Sequence, residues 1–125
     1  MKGTIALQRI LKALKTLRIG AAVDESEVQQ TIASCLLENG IGFEREKKIG
    51  PGCRVDFYLD GGVVLEVKAR KRPRKVLIDQ LRRYCACAQV QALILVTNQA
   101  TAVASSYGGK PVYCVKLHQL WGVAL

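Results

Sequence analysis

The chain has 125 residues, half of them hydrophobic, and a formal net charge of +9. This length predicts a single domain whose core is large enough to fold without disulfide bonds, and it does not favour a second domain. The charge indicates a polyanionic partner, with nucleic acid favoured over an anionic membrane surface. A membrane span is not expected, because no stretch reaches the roughly 20 apolar residues that one needs.

The first 20 residues do not resemble a secretory signal, because basic residues interrupt the apolar ones and no cleavage site follows. The cysteines are odd in number and scattered, which is unlike a small disulfide scaffold. Both features predict reduced thiols in an intracellular, cytoplasmic protein. The five cysteines are Cys35, Cys53, Cys85, Cys87 and Cys114.

Two helices are predicted at the start of the chain. Apolar residues recur at helical spacing over 3–18 with Lys and Arg between them, which predicts a basic amphipathic helix ending near Gly20. A second helix is predicted to begin near Asp24 or Ser26, whose side chains can cap it, and to end at Asn39 and Gly40.

Alternating apolar residues then predict three strands, over 42–49, 53–59 and 63–69. Glycine-rich turns separate these strands. The remaining predicted elements are a helix over 74–89, a buried strand over 92–97, a short helix over 99–107 and a strand over 111–117. This order predicts an α/β domain with a mixed central sheet flanked by helices.

The register of the second and third strands follows from their turn. With Asp60, Gly61 and Gly62 as a three-residue loop, Leu59 lies opposite Val63. Counting outward then gathers the apolar residues of both strands on one face, which is predicted to enter the core. These residues are Val55, Phe57, Leu59, Val63, Leu65 and Val67.

The other face of this hairpin carries two carboxylates side by side. In the same register Asp56 lies opposite Glu66, and Arg54 lies opposite Lys68. Like charges directly opposite each other are destabilising, so the pair favours a bound cation, and carboxylate oxygens suit Mg²⁺. Lys68 could then orient a water or stabilise developing negative charge. The alternative is a solvated face of cross-strand ion pairs.

The order of these elements resembles the PD-(D/E)xK nuclease superfamily, which includes restriction endonucleases, archaeal-type Holliday junction resolvases and RecB-type nucleases. The matching segments are "ESEVQQ", "RVDF" and "LEVK", although Val55 stands where the family name has proline. The resemblance implies a single nuclease domain over 1–125. It comprises a basic helix within 1–20 and a restriction-endonuclease-like α-β-β-β-α-β catalytic core over 24–117.

The resemblance also implies roles for individual residues. Asp56 and Glu66 would bind the metal, Lys68 would be the catalytic lysine, and Glu27 on the first core helix would complete the metal site, with Glu25 as the alternative. The implied cofactor is Mg²⁺, for which Mn²⁺ can substitute.

The segment "QLRRY" resembles the Gln-x-x-x-Tyr signature of RecB-type nucleases. Residues four apart share a helix face, so Gln80 and Tyr84 could both point at substrate near the metal. Gln80 is therefore a candidate catalytic residue, and Tyr84 a candidate nucleic-acid contact.

A run of basic residues begins two positions after Lys68, where a phosphate backbone entering the site would pass. We predict that this run binds nucleic acid, and the alternative is a solvated loop. Its members are Arg70, Lys71, Arg72, Arg74 and Lys75.

The sequence therefore predicts a Mg²⁺-dependent deoxyribonuclease that cuts branched DNA or processes ends, as in DNA recombination or repair. The alternative is a non-catalytic nucleic-acid-binding protein with the same fold. A homodimer is a further expectation, because the apolar stripe of the helix over 3–18 could pack against a second copy of the chain. The alternative role for this helix is binding to a membrane surface. This stripe consists of Leu7, Ile10, Leu14 and Leu17.

Overall fold

The structure is a computed structural model that describes residues 2–18, 24–99 and 103–117. These residues form three helices: α1 (Lys2–Leu14), α2 (Glu25–Glu38) and α3 (Arg74–Cys85). They also form six strands: β1 (Phe43–Gly50), β2 (Cys53–Leu59), β3 (Val63–Lys68), β4 (Ala92–Thr97), β5 (Ser106–Tyr107) and β6 (Lys110–Lys116).

The strands form one mixed sheet in the order β1-β2-β3-β4-β6-β5. The first three strands are an antiparallel meander, whereas β3, β4 and β6 run parallel to one another. Parallel neighbours need a crossover connection, which α3 provides between β3 and β4. The fold is therefore a six-stranded mixed α/β sheet flanked by helices, consistent with the predicted restriction-endonuclease-like core.

Helices cover both faces of the sheet, which explains why "ALILVT" is continuously apolar. Successive side chains of a strand point to opposite faces, and β4 is buried along its whole length. Ile94 and Val96 pack with α1 and α2 on one face, while Leu93 and Leu95 pack with α3 on the other. The third and fourth strands are thus enclosed on two sides.

The apolar stripe of the first helix belongs to this core. Leu7, Ile10, Leu14 and Leu17 are all at least 94% buried, in the same cluster as Phe57 of β2. The stripe is therefore not available as the dimer or membrane contact predicted for it. A homodimer stays a prediction without an assigned surface. Among the described residues, no helix is long and apolar enough to span a membrane.

The predicted register of the β2–β3 hairpin is confirmed for the three residue pairs next to the turn. Leu59 pairs with Val63 and Phe57 with Leu65, and the turn between the strands contains Gly61 and Gly62 at φ of +80° and +77°. The prediction of one apolar face is wrong for Val55, which packs with the α3 cluster. The backbone pairing of β2 with β3 ends at Phe57, so the residues of β2 before Phe57 do not form backbone pairs with β3.

Three helix predictions need correction. The helix predicted over 3–18 ends at Leu14. The helix predicted over 74–89 ends at Cys85, and residues 86–89 form turns. The helix predicted over 99–107 is wrong in its described part, because Ser106–Tyr107 pairs with Lys110 and Pro111. Gly108 and Gly109, both at positive φ, form the tight reversal between these strands. Residues 100–102 lie outside the described residues.

We expect Gly62→Ala to destabilise the protein more than Gly52→Ala does. Both glycines have positive φ, where a side chain costs roughly 1–2 kcal/mol. A Cβ on Gly62 would also lie 2.9 Å from the carbonyl oxygen of Gln89, whereas nothing lies within 4 Å of one on Gly52. Overpacking of this kind adds about 1–3 kcal/mol. Urea unfolding measures the difference, and equal losses would contradict close packing of the turn.

Candidate active site

Two carboxylates accept hydrogen bonds from backbone amides where the backbone pairing of β2 and β3 ends. Oε1 of Glu66 accepts a hydrogen bond of 2.7 Å from the backbone N–H of Asp56. In return, Oδ2 of Asp56 accepts one of 2.8 Å from the backbone N–H of Val67. Each carboxylate thus satisfies an amide of the opposite strand, so the structure brings Asp56 and Glu66 together, as the register predicted.

The environment of this pair disfavours two negative charges. Glu66 is 1% exposed, and its burial, followed by the charge of Asp56, raises its pKa to about 7. Burial also raises the pKa of Asp56, which is half-buried, and the charges of Glu25 and Glu46 add to this effect. A proton or a cation is therefore needed to stabilise the pair near neutral pH.

Lys68 supplies one positive charge to the pair. Its Nζ lies 3.3 Å from Oε2 of Glu66, and its side chain is 12% exposed. The backbone carbonyl of Lys68 accepts a hydrogen bond of 2.9 Å from the hydroxyl of Thr97 at the end of β4. The third residue of the predicted site is thus in contact with the second and fixed by the neighbouring parallel strand.

Of the two acidic residues in the first turn of α2, Glu25 is the one that contacts the segment after β3. Its Oε1 accepts hydrogen bonds from the backbone N–H of Ala69, at 3.1 Å, and from Nη2 of Arg72, at 2.7 Å. The carboxylate of Glu27 is exposed and makes no hydrogen bond or ion pair with the residues that the structure describes. Glu25 therefore braces the segment that follows β3, and the metal-binding role of Glu27 stays a prediction.

The two residues of the "QLRRY" segment are placed differently. Tyr84 is 3% exposed, and its hydroxyl donates a hydrogen bond of 2.9 Å to the carbonyl oxygen of Arg54. Burial raises the pKa of Tyr84, and the negative charges of Glu66 and Asp56 add to this increase. Gln80 is partly buried, and its side chain forms no hydrogen bond within the described part of the chain. Tyr84 is thus a buried residue that bonds to the protein backbone, and it is not exposed as the predicted nucleic-acid contact would require.

The basic run divides into an anchored residue and four exposed ones. Arg72 is held by Glu25, and its backbone N–H and carbonyl both bond to the side-chain amide of Gln99, which is 8% exposed. Lys75 forms an exposed ion pair of 2.9 Å with Asp79. The exposed members of the run are Arg70, Lys71, Arg74 and Lys75.

A chain of hydrogen bonds that the sequence did not reveal links this run to Lys68. The hydroxyl of Thr97 accepts a hydrogen bond from the backbone N–H of Gln99 and donates one to the backbone carbonyl of Lys68. The available signal was the switch from apolar to polar residues at the end of "ALILVT". The parallel register, which sets Thr97 beside Lys68, gives that switch its meaning.

A family model gives this geometry its context: the model of the PD-(D/E)XK nuclease superfamily matches residues 8–106 of the chain. The chain belongs to the PD-(D/E)XK nuclease superfamily. The matched range contains α2, the β2–β3 hairpin, α3 and β4, which are the elements that position the carboxylate pair. No significant match was found among curated proteins or solved structures.

Membership of the PD-(D/E)XK superfamily implies nuclease activity in general, and the three residues predicted for its motif lie close together in the structure. Asp56, Glu66 and Lys68 form a continuous cluster at the end of β3. Within the described ranges, no three His, Cys, Asp or Glu side chains are arranged to hold a metal ion by themselves.

We expect the protein to lose stability as the pH rises from about 4.5 to about 7. The pKa of Glu66 lies near 7 in the folded protein, against 4.5 for an ordinary glutamate, so the folded state binds more protons in this range. A shift of this size corresponds to at most about 3 kcal/mol. Urea unfolding across this pH range measures the effect.

Two variants isolate the contribution of Glu66 to this pH dependence. Glu66→Gln should flatten the fall in stability, since an amide does not titrate and its oxygen can still accept from the N–H of Asp56. Glu27→Gln, at an exposed site, should retain the wild-type fall. If Glu66→Gln keeps that fall, the raised pKa of Glu66 is contradicted.

A second prediction concerns the brace from α2 to the segment after β3. Glu25→Gln should speed amide hydrogen exchange at Ala69, because the variant loses the charged acceptor that holds this N–H and the Arg72 guanidinium. Glu27→Gln is the matched control, two residues away on the same helix. Nuclear magnetic resonance detects the exchange, and equal rates in both variants would remove the brace.

Proposed function

We propose that this protein is a divalent-metal-dependent deoxyribonuclease whose phosphodiester hydrolysis takes place at the Asp56–Glu66 pair. The observation that carries the proposal is that each of these carboxylates accepts a hydrogen bond from a backbone amide of the opposite strand, beside Lys68, in a chain that belongs to a nuclease superfamily. A protein that only binds nucleic acid has no need of a buried, mutually repelling acid pair. The non-catalytic alternative is therefore the weaker candidate.

The donor set fits Mg²⁺, with Mn²⁺ as a substitute. Mg²⁺ prefers oxygen ligands and is usually held by one or two carboxylates together with waters and substrate phosphate. Asp56 and Glu66 supply two such carboxylates, and their raised pKa values show an electrostatic cost that a cation would relieve. When bound there, the metal would supply Lewis acidity and positive charge to the phosphoryl group. Glu25, whose charge acts on Asp56, is the closer candidate for an outer contact.

The chain's own residues have distinct tasks in this proposal. The carboxylate of Glu66 is held by the backbone N–H of Asp56, and that of Asp56 by the backbone N–H of Val67, so their orientation is set before substrate arrives. Lys68 is held at the edge of the pair, where its ammonium group can orient a water or stabilise charge on a phosphate oxygen. Thr97 fixes the backbone of Lys68 and so limits its reach.

DNA is the proposed substrate because the net charge is +9 and exposed cations follow the site directly. We further propose cutting of branched DNA or processing of ends, in recombination or repair. This finer proposal rests on the resemblance of "QLRRY" and of the element order to RecB-type nucleases and junction resolvases. The free cysteines support an intracellular, cytoplasmic location.

We expect Asp56→Asn to abolish both cleavage and the rise in melting temperature that Mg²⁺ or Mn²⁺ produces in the wild type. The variant lacks one anionic ligand, so it loses the stabilisation that a bound metal gives. Lys68→Ala should retain the metal-induced rise but lose most of the cleavage, because lysine is not a ligand. Thermal melts with added metal, and cleavage of single-stranded, duplex and branched DNA, measure both effects.

Lys12→Ala is a matched control, since it removes an exposed lysine from α1, a helix that carries none of the predicted site residues. It should keep the metal response and show cleavage well above that of Lys68→Ala. The nuclease proposal fails if the wild type shows no metal response and Asp56→Asn is destabilised. In that case Asp56 is a structural partner of the Val67 amide only.

A further inference from the structure

A second concentration of positive charge lies on the β1–β2 hairpin. Lys48 and Arg54 are directly opposite each other in the register of these strands, and both are exposed. Neither side chain forms an ion pair or a hydrogen bond with the residues that the structure describes. Like charges in directly opposed positions are destabilising, so this arrangement is suited to an anion that bridges them.

This cation pair is next to the carboxylates along the same strand. The residues of β2 alternate between buried and more accessible positions, and Arg54 and Asp56 both belong to the accessible series. Because β2 and β3 are antiparallel, the first residues of β2 lie next to the last residues of β3. The exposed Arg70 and Lys71 follow the end of β3. Positive charge therefore flanks the Asp56–Glu66 pair on the β1 side and after β3.

The backbone of Arg54 is held firmly in place. The buried hydroxyl of Tyr84 donates a hydrogen bond to its carbonyl oxygen, so the core of the α3 layer anchors the residue that carries the exposed guanidinium. An anchored cation loses less conformational freedom when it binds a phosphate than one on a mobile segment does. Tyr84 is in this sense a positioning residue for Arg54.

We infer that Lys48 and Arg54 form a second phosphate-contact surface, so that a polynucleotide backbone crosses the carboxylate pair between this surface and Arg70 and Lys71. The inference rests on the proposed function for its substrate class. It assigns a role to the β1–β2 hairpin that the catalytic residues do not require.

The test is the salt dependence of DNA binding, measured without divalent metal so that cleavage does not interfere. The double variant Lys48→Gln/Arg54→Gln should reduce the slope of log K against log salt by up to about 0.9 for each lost phosphate contact on duplex DNA. The matched control is Lys12→Gln/Lys15→Gln, which removes two exposed cations from α1 and the turn that follows it, and α1 packs with the other core cluster. The control should keep the wild-type slope.

Tyr84→Phe tests the anchoring separately. It removes only the hydroxyl, so it should weaken DNA binding in the wild-type background and have no further effect in the Arg54→Gln background. Independent, additive effects would overturn the positioning role of Tyr84. Normal DNA binding by Tyr84→Phe would also overturn it.

The remaining outcomes separate this inference from the nuclease proposal. An unchanged slope in the Lys48→Gln/Arg54→Gln variant overturns the surface, even if the wild type cleaves DNA. A reduced slope with a wild type that cleaves nothing leaves the surface standing and removes the nuclease. Equal losses in the double variant and the α1 control show a net-charge effect and overturn the surface. Loss of binding to phosphatidylserine vesicles with unchanged DNA binding would assign the cations to a lipid surface instead.

Discussion

The site depends on the two hydrogen bonds that the carboxylates of Asp56 and Glu66 accept from backbone amides of the opposite strand. Where the β2–β3 ladder stops, two backbone amides would otherwise lose their partners, and the carboxylates take that place. The same contacts hold two acids close together in a poorly solvated setting. Local backbone satisfaction and an electrostatic cost therefore arise from one arrangement, and the cost is what makes the pair suited to a cation.

The rest of the fold maintains this arrangement. Strand β3 is buried from Val63 to Val67, and Glu66 is paired with Leu95 of β4, so the parallel neighbour holds the backbone of Glu66 in the sheet. Lys68 at the end of the strand is fixed through Thr97, and Gln99 carries the order onward to Arg72. Glu25 closes this chain of contacts from α2. The site is thus built mainly on regular elements, which limits its movement.

Much of the hairpin could be predicted from sequence because its information is local. A turn with two glycines and strands of strict alternation permit one register, and that register pairs Asp56 with Glu66. The same reasoning failed for Val55, whose packing depends on where the ladder ends. It also could not place Tyr84 in the core or connect Gln99 with Arg72. These contacts join residues that only the tertiary fold brings together, and no local period marks them.

The central claim is that Asp56 and Glu66 form a strained carboxylate pair that binds a cation. Its most direct test is to measure the pKa of Glu66 by carbon-13 nuclear magnetic resonance of the side-chain carboxyl. Without divalent metal we expect the carboxyl to titrate near pH 7. With saturating Mg²⁺ its titration should move to clearly lower pH, because a bound cation favours the ionised form. Titration near pH 4.5 that does not respond to Mg²⁺ would contradict both the strained pair and the metal site.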